Sequence, residues 1–173
     1  MGILSGYPKA EPAHYGEIYD AFMTLAGGQA MISRYQLFYN HCGDEDLREF
    51  IHHIIENRLR PHVEELKNFL KENGAPLPPA PAERGEADRE RIPPAARFTD
   101  PEIATMVAAD HAIGSSADTA AMVKCLREDI AAMYAKFNAE KIADGARLLR
   151  LMKDKGWIIP PPLHVKPREE VLT

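Results

Sequence analysis

The chain has little of several things that would define a function class. Two cysteines in 173 residues, Cys42 and Cys125, are too few and too far apart for a disulfide framework or a zinc knuckle. They read as reduced, structural thiols, because a buried cysteine behaves as a small hydrophobe. No stretch approaches the roughly 20 consecutive apolar residues of a membrane span, and no signal peptide precedes the first polar run. The opening Met-Gly-Ile-Leu-Ser-Gly places Gly6 where a myristoylation signal needs Ser or Thr. There is no excess of positive charge. The formal net charge of −5 argues against nucleic acid as a partner, since such proteins present a basic face. Neither G-x-x-x-x-G-K-[ST] nor G-x-G-x-x-G occurs, so nucleotide binding has no motif. Ser115 and Ser116 lack an identifiable His-Asp arrangement for nucleophilic chemistry. The expectation is a soluble, cytoplasmic, single-domain protein over 1–173.

What is present is helix. Strand-like alternation is missing, while four long segments carry apolar residues at helical spacing. The first covers about 12–42, with Tyr15, Ile18, Phe22, Leu25, Ile32 and Tyr39 on its stripe. Asp44 is placed to cap a second helix over 44–73. Pro61 inside that helix predicts a kink, because proline lacks an amide hydrogen and crowds the carbonyl one turn back. A third helix over 100–125 opens with the capping-box spacing Thr99 to Glu102. Its stripe reads Ile103, Met106, Asp110, Ile113, Ala117 and Ala121. Ile130, Met133, Phe137 and Leu148 are out of phase with that stripe, which predicts a turn near Lys124–Arg127 and a fourth helix over 127–155.

The 14 prolines cluster between these helices. Pro76, Pro78, Pro79, Pro81, Pro93 and Pro94 fill the connection 75–99, which has no periodicity and is too long for an ordinary loop. A proline-rich strap along the bundle explains it, and its charge run Glu83–Arg91 reads as solvated. Two tightly joined pairs linked by a long strap describe an all-α, ferritin-like four-helix bundle with one crossover. The alternative is up-down-up-down order with a slack loop. The crossover puts Cys42 and Cys125 at opposite ends. The apolar tail 157–163 is expected to pack back on the bundle.

His14–Asp20, Gly43–Arg48, Ala96–Ile103, Arg127–Ile130 and the ending Gly156-Trp-Ile-Ile-Pro-Pro-Pro-Leu163 carry a resemblance. The chain resembles, over nearly its whole length, an uncharacterised ferritin-like helical family of Bacillus and related bacteria. Some of its members are labelled as candidate spore coat proteins. The resemblance implies a four-helix fold and a link to sporulation, and it carries no catalytic residues to transfer.

A ferritin-like scaffold raises the question of a di-iron or di-manganese carboxylate centre. That chemistry needs a Glu from each of two helices and Glu-x-x-His from the other two, all pointing inward. Glu11-x-x-His14 lies at a helix start, and Glu49-x-x-His52, with His53 and Glu56, faces away from the stripe. The inner faces instead carry a polar layer of Gln29, Gln36, Arg58, Asp110 and Lys141, in which the two cations would pair with Asp110. Under up-down-up-down order, His62, Glu65, Asp110 and Asp144 are the best metal ligands. No cofactor is favoured.

The leading reading is therefore a non-enzymatic structural or interaction protein, spore-associated, working as a homo-oligomer or with a spore-coat partner, without nucleic acid or membrane. One alternative is a di-metal oxidase or ferroxidase. The other is a small-molecule sensor with a core cavity near Gly27, Gly28 and Gly114. For these glycines, and for the run Gly114-Ser-Ser-Ala117, close helix packing is the simpler explanation.

Overall fold

The computed structural model describes residues 11–162 and residue 164. Among them no strand occurs. The helices are α1 (Tyr15–His41), α2 (Glu45–Ile54), α3 (Arg60–Glu72), α4 (Asp100–Met122) and α5 (Glu128–Asp154). α2 and α3 form one rod joined by a π turn over Ile55–Leu59. The wider turn has a cause in Pro61. A regular helix would ask the Pro61 nitrogen to satisfy the Asn57 carbonyl, which proline cannot do. The chain lets the Arg60 amide reach back to Ile55 instead, and Arg58 Nη1 donates to the Asn57 carbonyl at 3.1 Å.

Several helix ends are closed by local chemistry. Asp44 caps α2 by accepting from the Leu47 amide at 3.0 Å. Glu102 folds back on Thr99, taking its amide and hydroxyl at 2.7 and 2.8 Å. Gly74 and Gly156 stop α3 and α5 in the left-handed region, with φ of 67° and 71°. Each directs the next amide back five residues, Ala75 to Leu70 and Trp157 to Met152, both at 2.9 Å. A side chain at either position would be strained.

The ends of the bundle establish its connectivity. At one end Asp100 accepts from the Gly43 amide at 2.7 Å, and Lys155 bonds Asp44 at 2.7 Å. At the other, buried Glu17 accepts from the Leu126 and Arg127 amides at 2.8 and 2.9 Å, and Arg127 reaches Asn73. The rod α2–α3 and α4 therefore run parallel, which is the crossover arrangement. Cys42 and Cys125 lie at opposite ends, both buried and unpaired. Burial, aided by Asp100, pushes the Cys42 thiol up to about 12, and burial with Glu17 pushes Cys125 up to about 11. Both are poor nucleophiles as a result.

The strap is bound more firmly than its composition suggests. The run Glu83–Arg91 is not merely solvated. Arg60 forks onto Glu83 at 2.8 and 2.7 Å, and Gln36 donates to the same carboxylate at 2.9 Å. Those bonds hold Glu83 far below the usual carboxylate range, at about 2. Asn40 holds the Gly85 carbonyl and the Ala87 amide, and Arg89 donates to the His41 carbonyl at 3.0 Å. In the tail, Trp157 and Ile158 pack on the core, but Ile159 and Pro160–Pro162 are exposed. Leu163 lies outside the described residues, as does Gly6.

The core follows the apolar stripes of the rod and of α5. Leu47, Ile51, Leu66, Ile130, Phe137 and Leu148 are fully or almost fully buried, each stabilising by roughly 1.5–3 kcal/mol. On α1 and α4 the burial departs from the expected stripe. Tyr15 is 95% exposed and Ile113 69% exposed, while His111 and Asp118 are buried.

Candidate functional site

Halfway along the bundle, Arg58, His62, Asp110, Lys141 and Asp144 surround a cavity of about 20 Å³, together with Tyr35. That is space for about one water. Three of the five expected polar-layer residues meet here. The other two do not. Gln36 is half-buried and bonds the strap at Glu83 and the Arg84 amide. Gln29 faces a separate cleft beside Arg60 and Lys67, where its buried Oε1 has no partner.

The pairing differs from the expected one. Asp110 is not shared by Arg58 and Lys141. Arg34 of α1 takes Asp110 at 2.6 Å. Arg58 Nε donates to Asp144 at 2.7 Å, and Arg147 approaches its other oxygen at 3.3 Å. Lys141 bonds Asp118, two turns beyond Asp110 on α4. Gly114 makes this reach possible, since a Cβ there would stand 3.1 Å from the Lys141 stem. Sequence reasoning missed Arg34, Asp118 and Glu140. A lysine on an apolar stripe was the available signal, because it requires a facing carboxylate, and α4 offers two.

Burial raises the Asp118 pKa against the opposing pull of Lys141. His62 stacks on Phe137 with centroids 3.9 Å apart and shares a 2.5 Å hydrogen bond with Glu140. Burial lowers its pKa despite Glu140, with Lys141 acting in the same direction as burial. The neutral ring therefore donates to the carboxylate from Nε2. Tyr35 is wholly buried and its hydroxyl has no hydrogen-bond partner. Burial first, then the Asp110 charge and the approach of the hydroxyl to that carboxylate, raise its pKa, so the phenol stays protonated.

The residues do not fit a carboxylate-bridged metal centre. Such a site needs inward carboxylates with free lone pairs. Asp110 and Asp144 are each bound by arginine, His62 is committed to Glu140, and Glu65 pairs with Lys136 at 2.7 Å on a half-exposed face. Two cations, Arg58 and Lys141, stand where metal charge would have to sit. Among the described residues no group of three or more His, Cys, Asp or Glu side chains is placed to hold a metal ion. The Glu-x-x-His spacings have other uses or none. His14 caps α1, while Glu49, His52 and Glu56 are exposed. His53 is turned further in than expected, half-buried with Nε2 3.9 Å from Asp144.

A larger opening lies between α1 and α4. It measures about 610 Å³ and is lined by Gly27, Gly28, Gly114, Ala117, Met23 and Ile113, over a floor that includes Leu66 and Phe137. Among the described residues no helix is long and apolar enough to cross a membrane.

The chain is similar to known proteins. A Bacillus subtilis (strain 168) protein, the uncharacterised YvdQ, is 45% identical over 170 residues, covering 98% of this chain and 99% of that one. A crystal structure from Bacillus halodurans C-125, described as "a putative spore coat protein", is 40% identical with a TM-score of 0.88, covering 92% of this chain and 99% of that one. A two-domain protein of Anabaena variabilis ATCC 29413, containing DJ-1/ThiJ/PfpI-like and ferritin-like domains, matches at TM-score 0.60. That match has 15% identity and covers 88% of this chain and 41% of that one, so it bears on the fold alone. A family model described as a protein of unknown function, DUF3231, matches residues 1–169. The chain belongs to the DUF3231 family.

Proposed function

We propose that the chain is a non-enzymatic, ferritin-like structural or interaction protein of the spore. The observation that carries this reading is the ion-paired midplane. Arg58–Asp144, Arg34–Asp110 and Lys141–Asp118 fill the level at which a ferritin-like oxidase would gather carboxylates around metal. The Arg58–Asp144 and Lys141–Asp118 pairs, whose carboxylates are buried, fix which side chains face one another more than they add net stability. That suits a scaffold better than a catalyst. The spore assignment draws on similarity to the Bacillus halodurans protein and its description. In this reading the protein is made in the cytoplasm and incorporated into the spore, with a second copy or a coat component as its partner.

The test is fractionation of sporulating cells carrying the tagged full-length chain, with ferrous-iron oxidation measured on the purified protein. The expected result is tag in the coat extract of mature spores and iron oxidation at the buffer rate. Tag confined to vegetative cytoplasm would overturn the spore assignment. Saturable iron oxidation would overturn the non-enzymatic one.

A further inference from the structure

The seam between α1 and α4 is tied at both ends and open between them. Arg34 to Asp110 closes one end at 2.6 Å, and Lys124 to Asp20 closes the other at 2.7 Å. Asp20 and Arg34 stand about 21 Å apart along α1 at the standard helical rise. Between the ties the walls are small or flexible: Gly27, Gly28 and Met31 on one side, Gly114 and Ala117 on the other. Helix packing accounts for two of the glycines. A Cβ at Gly28 would meet Val63 at 3.1 Å, and one at Gly114 the Lys141 stem at the same distance. It does not account for Gly27, where a Cβ would meet nothing within 4 Å. A glycine within a helix costs about 1 kcal/mol relative to alanine, so Gly27 weakens α1 without serving any packing partner.

The volume, about 610 Å³, falls among those of small-molecule sites. The opening also has an inner end. It shares Met31, Leu59, His62, Asp110 and Lys141 with the midplane cavity onto which Tyr35 faces. The charged groups along the way are already matched. Asp20 has Lys124, Arg34 has Asp110, Lys141 has Asp118, and neutral His62 has Glu140. What remains is the buried Tyr35 hydroxyl, which stands by the Asp110 carboxylate already held by Arg34 and makes no well-formed hydrogen bond. An orphan of this kind costs about 1–3 kcal/mol unless a ligand or water meets it.

We propose that the α1–α4 seam binds an elongated, apolar, uncharged molecule with one hydrogen-bonding head, its body along Gly27 and Ala117 and its head at the Tyr35 hydroxyl. A net charge on the ligand would find no free counter-charge, and the roughly 21 Å between the end ties along α1 suits an elongated body. The proposal stands apart from the spore assignment.

The experiment uses the full-length chain, Nile red as an uncharged apolar probe, and displacement by dodecanol, dodecanoate and dodecyltrimethylammonium. Saturable Nile red binding is expected, displaced by dodecanol at concentrations at least about tenfold below either charged analogue. Gly27→Leu places its Cβ in open space and its side chain in the opening. It should weaken Nile red binding by more than about tenfold while the thermal midpoint holds or rises. Tyr35→Phe should weaken dodecanol about three- to tenfold and leave Nile red unchanged. The proposal is overturned by a lack of saturable binding, by Gly27→Leu binding like the natural chain, or by charged analogues displacing as well as dodecanol. Sedimentation showing a stable dimer that binds Nile red only after dissociating would overturn it in favour of a second copy covering the seam.

Discussion

The two sides of α4 use the same kinds of residue to opposite ends. Against α5 the helix is closed. Asn138 donates to the Ser115 carbonyl at 3.0 Å, Lys141 threads past Gly114 to Asp118, and a Cβ on Gly145 would stand 3.8 Å from His111. Toward α1 the polar ties sit at the ends, leaving Ile113 exposed over a gap of about 610 Å³. Small residues thus bring helices together on one side of α4 and leave space on the other. What decides between these outcomes is whether a long side chain crosses the interface to fill the room they leave.

The largest expected effect tests the closed side. Phe137→Ala should lower unfolding free energy by about 3–5 kcal/mol in urea titration, because Phe137 is fully buried beneath His62. Ile113→Ala, on the stripe of α4 that faces the seam, should change it by less than about 0.5 kcal/mol. Equal losses would mean that the seam is closed in solution.

The next effect concerns the Lys141–Asp118 pair. Asp118 is 3% exposed, so Asp118→Ala strands the lysine and should cost about 3 kcal/mol. The double change Asp118→Leu with Lys141→Met should recover most of that loss, as read by a double-mutant cycle of urea midpoints.

Much of the fold was legible in the sequence, and the reasons are local. Turn, cap and proline signals act within a few residues, so Asp44, Thr99–Glu102, Gly74 and the strap prolines could be placed by inspection. Pro61 announced a disturbance, but whether it would bend the rod or widen a turn depended on Arg58 being able to take the freed carbonyl. The polar layer was legible as a level and not as a set of pairs. Arg34 was passed over because arginine on a helix edge reads as solvated until the partner helix is placed beside it. Periodicity marked Ile113 and Ala117 as inward, and they do point toward α1. That helix stands too far away to cover them. Distance between helices leaves no trace in the phase of a stripe.

Acid should separate the buried midplane from the exposed surface with a smaller effect. His62 has a lowered pKa in the folded chain, so the unfolded chain takes up its proton first. The stability that depends on the neutral ring is present above the unfolded value of about 6.5 and is lost as pH falls below it. His41 and His53, also lowered by burial first, act in the same sense. Thermal midpoints should fall as pH drops from about 7.5 to about 5.5, and His62→Phe should flatten that slope. An unchanged slope would show that His62 is not held neutral. The smallest effect belongs to Tyr35→Phe, which removes an unpartnered hydroxyl and should leave the midpoint unchanged or slightly raised in the absence of ligand.

The central claim is that arginine and lysine side chains occupy the level where a related scaffold would hold metal. Metal content is its most direct measurement, taken on the full-length chain purified without chelators and again after equilibration with ferrous iron and manganese. The account predicts that each metal stays below about one atom per ten chains in both samples, since no free carboxylate cluster is present among the described residues to retain it. About two tightly held atoms per chain, the stoichiometry of a carboxylate-bridged centre, lost on Asp144→Asn, would contradict it.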